Sequence, residues 1–376
     1  MRLLAGLMLA SIAFAQMRSI TLAGKSPVVT FRVVFTTGAA ADPDKPGLAH
    51  LTAAMLAGGG TRDLSYKQIV DAMFPMASSV TAQTDQEMTT FTGATHVDNL
   101  DAYYKLFRAM LLEPGWREDD FKRLKDEASN ALRVGLRGNN DEELGKEALY
   151  SALYRGTPYG HYSTGAVSAL EKMSLDDLKQ FYKQHYTQSN LIVGLAGAYP
   201  ADFLERIKKD FGVLPMQDST PTLEVKPRAM DRTHALIVEK NTRSVAYSMG
   251  FPIDVKRGDP DYPALLLMQS YFGPHRMSGG RLFQRIREIR GINYGDYAYI
   301  EYFPRGMFLM DPSPNLARRS QIFQIWIRPV EPPAAAFTLR LAAYELDKLV
   351  KDGIPVDDFD RTKEFLGKYV NLLTKT

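Results

Sequence analysis

The seven residues DDFKRLK at 119–125 return as DDFDRTK at 357–363, an offset of 238 residues. Each copy follows a helical stretch and a turn made of Pro and Gly: Pro114-Gly115 before the first, Gly353 and Pro355 before the second. Agreement in context as well as in residues points to duplication of one unit that mixes strands and helices.

Outward from the first copy, VVTFRVVFTT at 28–37 alternates and is rich in β-branched residues, as a strand is. Pro46-Gly47-Leu48-Ala49-His50 then opens a helix that Gly58-Gly59-Gly60 ends. Thr89 to His96 reads as a second strand and Leu100 to Leu112 as an amphipathic helix. Asp119 to Tyr154 reads as helical with a polar interruption around Gly138 to Asp141. Ser174-Leu-Asp-Asp177 resembles a capping box for a helix reaching His185. Leu191 to Ala198 follows as a short buried strand.

Residues 215–233 carry Pro215, Pro221 and Pro227 and no periodicity, which marks a linker. The rhythm then restarts, with strands expected at Ala235 to Glu239 and Val245 to Phe251 and a helix from Tyr262 to Tyr271. The reading is therefore a domain at 16–214, the linker, and a second domain at 234–376. With the offset of 238, Thr376 corresponds to position 138. The second copy is expected to be truncated, without counterparts of the helices near 141–154 and 174–185 or of the strand at 191–198.

Residues 1–15 have the layout of a secretory signal. Arg2 supplies a positive start, Leu3 to Phe14 an apolar run, and Ala13-Phe14-Ala15 a small-x-small cleavage site. The run falls short of the about 20 apolar residues a membrane span needs. An uncleaved anchor and a buried helix are the rival readings. A periplasmic or secreted protein is expected. The formal net charge of +3 over 376 residues, without a long Lys/Arg run, gives no nucleic-acid footprint. The chain has no cysteine, which excludes disulfides, thiolate metal sites and thiol nucleophiles.

Four stretches in order resemble the pitrilysin/insulinase metallopeptidases: GLAHLTAAMLAGGGT (47–61), TPYGHYSTG (157–165), FYKQHYTQSNLIVGLAGAY (181–199) and GGRLFQRIREIRGINYGDYAY (279–299). The resemblance implies an α+β fold of two homologous domains, each a mainly antiparallel sheet with helices on one face, the pair forming a clam-like chamber.

Active members of that family carry His-x-x-Glu-His on the first helix, followed at a distance by a Glu. Two imidazoles at i and i+4 share a helix face and bind one zinc, and the Glu between them deprotonates the zinc-bound water. The matching positions here are His50, Ala53 and Ala54, so the second ligand and the base are methyl groups. Glu127 lies where the distant Glu could fall, though a solvated helix residue is the plainer reading. No metal, cofactor or catalytic residue is expected in this chain. The six histidines show neither an inverted zinc motif nor the surroundings of a nucleophile.

The second signature is intact. Arg287 stands seven residues before Tyr294, and in the family such a pair holds the substrate backbone. Both side chains donate hydrogen bonds, which suits a peptide carbonyl and its developing oxyanion. Read without the resemblance, they are a solvated helix charge and a strand aromatic. Arg281 in the same signature is a weaker candidate for a structural or substrate contact. Some members work as heterodimers in which one subunit holds the zinc helix and the other the Arg/Tyr pair. The resemblance thus implies a substrate-binding subunit for unfolded peptides, with zinc in the partner. A catalytically inactive structural or peptide-binding scaffold is the alternative.

Overall fold

The computed structural model describes residues 17–42, 44–217, 222–303, 316 and 318–373. The signal-peptide reading of 1–15 lies outside these residues. The chain forms two compact units: one takes Met1–Ala41, Leu48–Lys125 and Lys172–Thr222, the other Asp42–Gly47, Asp126–Glu171 and Leu223–Thr376.

The described elements run β1 (Arg18–Ala23), β2 (Val28–Phe35), α1 (Leu48–Gly58), α2 (Tyr66–Met73), β3 (Ser79–Thr84), β4 (Thr89–His96), α3 (Leu100–Leu112) and α4 (Glu118–Asn130). There follow α5 (Asp141–Leu153), α6 (Val167–Lys172), α7 (Leu175–His185), β5 (Leu191–Gly197) and α8 (Phe203–Phe211). The remainder are β6 (Val245–Ile253), α9 (Tyr262–Phe272), α10 (Arg281–Phe283), β7 (Asp296–Tyr299), β8 (Gln321–Val330), α11 (Pro332–Asp352) and α12 (Val356–Leu373).

In the first unit the sheet order is β1-β5-β2-β4-β3, antiparallel except for the parallel β1–β5 pair. Alternation in β2 sends Val29, Phe31, Val33 and Phe35 into the core. Phe31 there meets the rings of Tyr103, Tyr104, Phe107 and Phe203 at 5.3–6.1 Å. Burying one such side chain stabilises the fold by about 1.5–3 kcal/mol. Gly93 in β4 makes room for this packing, because a Cβ there would lie 1.7 Å from the Tyr103 hydroxyl. That hydroxyl donates to the Ser79 carbonyl of β3 at 2.9 Å. Ser174 caps α7, its side chain accepting from the Asp177 N–H while the Asp177 carboxylate accepts from the Ser174 N–H.

In the second unit the order is β6-β8-β7, all antiparallel. This matches β2-β4-β3 strand for strand, and each set is followed by two helices. The second of these begins at Glu118 in one copy and Val356 in the other, the same offset of 238 that the sequence repeat carries. Tyr247, Met249, Phe323, Ile325, Ile327 and Ala298 pack with Phe272 of α9, Leu282 of α10 and Leu341 of α11. The opposite face of this sheet is also covered. Lys146 of α5 lies 4.3 Å above the Trp326 ring, and Leu149 of α5 approaches Gly250 of β6.

The strand expected at Ala235 to Glu239 does not form. Its counterpart by order is β1, whose six residues are all exposed and which, among the described residues, pairs with β5 alone. A strand held only by its ladder needs that neighbour. Among the described residues no strand flanks β6 on its outer side, and Leu236, Ile237 and Val238 stand 64%, 82% and 52% exposed.

Candidate functional site

Gly280 caps α10, which continues through a π-helical turn at Gln284–Glu288 and stops at Gly291, where φ is +63°. Leu282 and Ile286, four residues apart, face the core. Phe283 and Arg287 share the next stripe, and the guanidinium lies 4.8 Å above the Phe283 ring. Arg281 and Arg285 make a third stripe, donating from Nε to the two oxygens of buried Glu345 on α11 at 2.8 and 2.6 Å. Desolvation works to raise the Glu345 carboxyl, but the two guanidinium groups outweigh it and hold the carboxyl below its usual range. Arg281, the weaker candidate, is thus an anchor between α10 and α11.

The turn after Gly291 brings the predicted pair together. Arg287 Nη1 donates to the Tyr294 main-chain oxygen at 3.1 Å, and its guanidinium lies 5.5 Å from the Tyr294 ring centre. Tyr294 is 75% exposed. The two residues line an open pocket of about 390 Å³ with Arg276, Ser278, Phe283, Tyr297 and Arg328. Three guanidinium groups and three aromatic rings therefore surround one concavity. It suits a ligand bearing carbonyl or anionic oxygen and some apolar surface.

Asp296, Asn293 and Arg328 were not legible as part of this site. Asp296 opens β7 fully buried, and its Oδ1 accepts from Asn293 Nδ2 at 2.7 Å. Oδ2 has no hydrogen-bond partner among the described residues. Burial lifts this carboxyl to about 7, against the Asn293 amide and the charges of Arg287 and Arg328. Arg328 is itself steadied by Glu142 of α5, at 3.3 Å from its Nε. Below about pH 7 this carboxyl keeps its proton and offsets less of the charge of Arg287 and Arg328, two of the residues that line the pocket.

On α1, Ala53 is buried in the core of the first unit and Ala54 is partly buried. Desolvation lowers the His50 imidazole to about 4, so it is neutral at pH 7. Glu127 lies exposed on α4. Among the described residues no group of three or more His, Asp or Glu side chains is placed to hold a metal ion. No described helix is long and apolar enough to cross a membrane.

Comparison with known proteins places these features in a family. Residues 20–166 match the insulinase family (peptidase family M16), and residues 172–366 match the domain described as the peptidase M16 inactive domain. A Bacillus subtilis protein named as an uncharacterized zinc protease, YmxG, is 23% identical over 68% of this chain. A Helicobacter pylori protein named as a non-peptidase homolog, also YmxG, is 25% identical over 69% of it. These matches take in 61% and 59% of the relatives' own lengths, so the chain spans less than two thirds of each. The crystal structure of a peptidase M16 inactive domain from Pseudomonas fluorescens superposes with a TM-score of 0.82 at 22% identity, over 94% of this chain and 81% of that one.

Proposed function

Because the chain belongs to the insulinase family of M16 peptidases and is of its inactive kind, we propose that it is a zinc-free partner subunit of an exported metallopeptidase. It binds unfolded peptide through Arg287 and Tyr294 and presents it to a subunit that supplies the zinc and the base. The two domains are taken as 16–214 and 234–376, joined by 215–233, and the location as periplasmic or secreted.

The observation that carries the reading is the contrast between two places in one chain. At α1, methyl groups stand where a ligand and a base are needed. At the pocket, the Tyr294 ring is exposed beside Arg287, and neither the guanidinium's remaining donors nor the phenol is buried. Donors left at a surface in this way favour an oxygen-bearing ligand over a structural duty.

The test is reconstitution with an exported M16 relative that has an intact zinc helix, followed by a peptide-cleavage assay. Cleavage by the mixture and not by either chain alone supports the reading. Equal cleavage with and without this chain favours the scaffold instead.

A further inference from the structure

We propose that the pocket beside Arg287 and Tyr294 prefers peptide segments bearing a carboxylate, from an acidic side chain or a chain end, and that Arg276 sets this preference. The preference rests on that pocket being a peptide site and names the class of group it selects.

Arg276, Arg287 and Arg328 line the concavity, and among the described residues no acid does so. Arg287 makes no ion pair among the described residues: it donates to a main-chain oxygen, and the Phe283 ring holds its guanidinium in place. Arg328 has Glu142 at 3.3 Å from its Nε. Asp296 acts on Arg287 and Arg328, but burial leaves its carboxyl protonated up to about 7. A peptide carbonyl accepts through two lone pairs, and one arginine with the Tyr294 phenol already meets that need. Three guanidinium groups around one space go beyond it. They match a carboxylate, which takes paired N–H donors from a single fork and gains from each further positive charge. Phe283 and Tyr297, both buried, offer the apolar flank that the methylene stem of an acidic side chain would lie against.

Arg276 is presented to this space by its neighbours. The Gly273 carbonyl accepts from the Ala298 N–H of β7 at 2.7 Å. His275 is buried, with its Nδ1 2.8 Å from the Tyr299 hydroxyl and its ring packed on Tyr297, Phe303 and Trp326. On the other side, Gln284 Nε2 donates to the Ser278 carbonyl at 2.6 Å. Between these anchors Arg276 stands exposed with φ at +55°. A long side chain occupies that region only under strain, where Asn or Gly would rest with less. A charge placed for a ligand accounts for an arginine there, since a merely solvated residue has no need of one.

The probes are fluorescent peptides with an amidated C-terminus, identical except for one central residue that is Glu, Gln or Lys. A further Gln peptide keeps its free C-terminal carboxylate. By anisotropy on the full chain, the Glu peptide should bind about tenfold tighter than the amidated Gln peptide, and the Lys peptide about tenfold weaker. The advantage of Glu should shrink as salt rises from about 0.05 M to about 0.5 M. A matching gain for the free-carboxylate Gln peptide names the chain end as a source of the group, and a gain for Glu alone names the side chain. Arg276→Asn, which suits a positive φ, should bring the Glu-to-Gln ratio to within about twofold of unity, and Arg276→Glu should reverse the order of Glu and Lys. Equal affinities for Glu, Gln and Lys peptides, all weakened by Arg287→Ala, overturn the preference and leave the peptide site standing. No binding of any peptide by about 1 mM overturns both. A Glu advantage undiminished in Arg276→Asn overturns the assignment to Arg276.

Discussion

Arg287 holds Tyr294 by its main chain and not by its hydroxyl: Nη1 donates to the Tyr294 carbonyl at 3.1 Å, with the ring centre 5.5 Å from the guanidinium carbon. The phenol is left outward on a residue that is 75% exposed. The two side chains therefore differ in what their loss does to the protein.

Tyr294→Phe removes one exposed hydroxyl and keeps the ring against Arg287. Its melting temperature should match the parent, since surface changes usually stay within about 0.5 kcal/mol. Arg287→Ala also removes the bond to the 294 carbonyl and the cation above Phe283, and should melt measurably lower. With a zinc-bearing partner present, each should slow cleavage roughly 10²–10³-fold, as losing one oxyanion donor does. Wild-type cleavage by Tyr294→Phe would reduce the tyrosine to an ordinary surface ring.

Glu345 should be worth more to the fold than either of its arginines. Its side chain is 1% exposed, while Arg281 and Arg285 are 33% and 28% exposed. Arg281→Ala leaves the carboxylate still paired with Arg285. Glu345→Ala strands two partly solvated cations, and should cost roughly 1–3 kcal/mol, below the range for a fully buried pair. Urea unfolding of the two variants decides it. An Arg281→Ala loss as large as that of Glu345→Ala would show that the arginines act singly.

Restoring a second imidazole should restore some metal binding. His50 is held neutral at pH 7 by desolvation and is therefore ready to donate a lone pair. Ala54→His places a second ring four residues on, and Ala54 is only partly buried. Zinc should raise the melting temperature of Ala54→His and leave the parent unchanged. Ala53→Glu is a different matter, because Ala53 sits in the packed core and a carboxylate there costs about 1–3 kcal/mol from overpacking alone. A parent chain that holds zinc tightly after desalting would contradict the reading of α1.

The repeat and the strong periodicities made most of the fold legible. Thr89–His96 and Leu100–Leu112 form over the residues expected, because each alternates or cycles against one apolar core. What stayed hidden were elements defined by neighbours. In the exposed strand β1, Ile20 and Leu22 alternate with Ser19 and Thr21 yet stand 64% and 65% exposed, so the strand gains its identity from β5 and not from a core. Ala235–Glu239 carries the stronger strand composition and yet forms none, and no strand lies beside it among the described residues. At the pocket, Arg287 and Tyr294 were reachable through a motif. Asn293 and Asp296 lie inside the 279–299 stretch, where nothing in the pattern gives them a role, and Arg328 belongs to no local pattern, since it arrives from β8 and its Glu142 partner from α5.

Asp296 gives the stability of the fold a pH dependence of definite sign. Burial raises its carboxyl from 3.8 to about 7, and the Asn293 amide, Arg287 and Arg328 only partly oppose this. Between those two values the folded protein keeps a proton that the unfolded chain has released. The unfolded state then binds fewer protons, so this group's contribution to stability falls as pH rises from about 4 to 7 and is level above that. A shift of this size corresponds to at most about 4 kcal/mol. Glu147, lifted to about 7 by burial and by Glu143, adds a trend of the same sign. His50, lowered to about 4, adds the opposite one below pH 6.5. Comparing Asp296→Asn with the parent cancels both of these backgrounds. The melting temperature of the parent should fall relative to Asp296→Asn from pH 4 to 7, and the gap should then hold constant to pH 9. Parallel curves across the whole range would mean that Asp296 is ionised in the folded protein at pH 5, and that the arginines of the pocket compensate its burial in full.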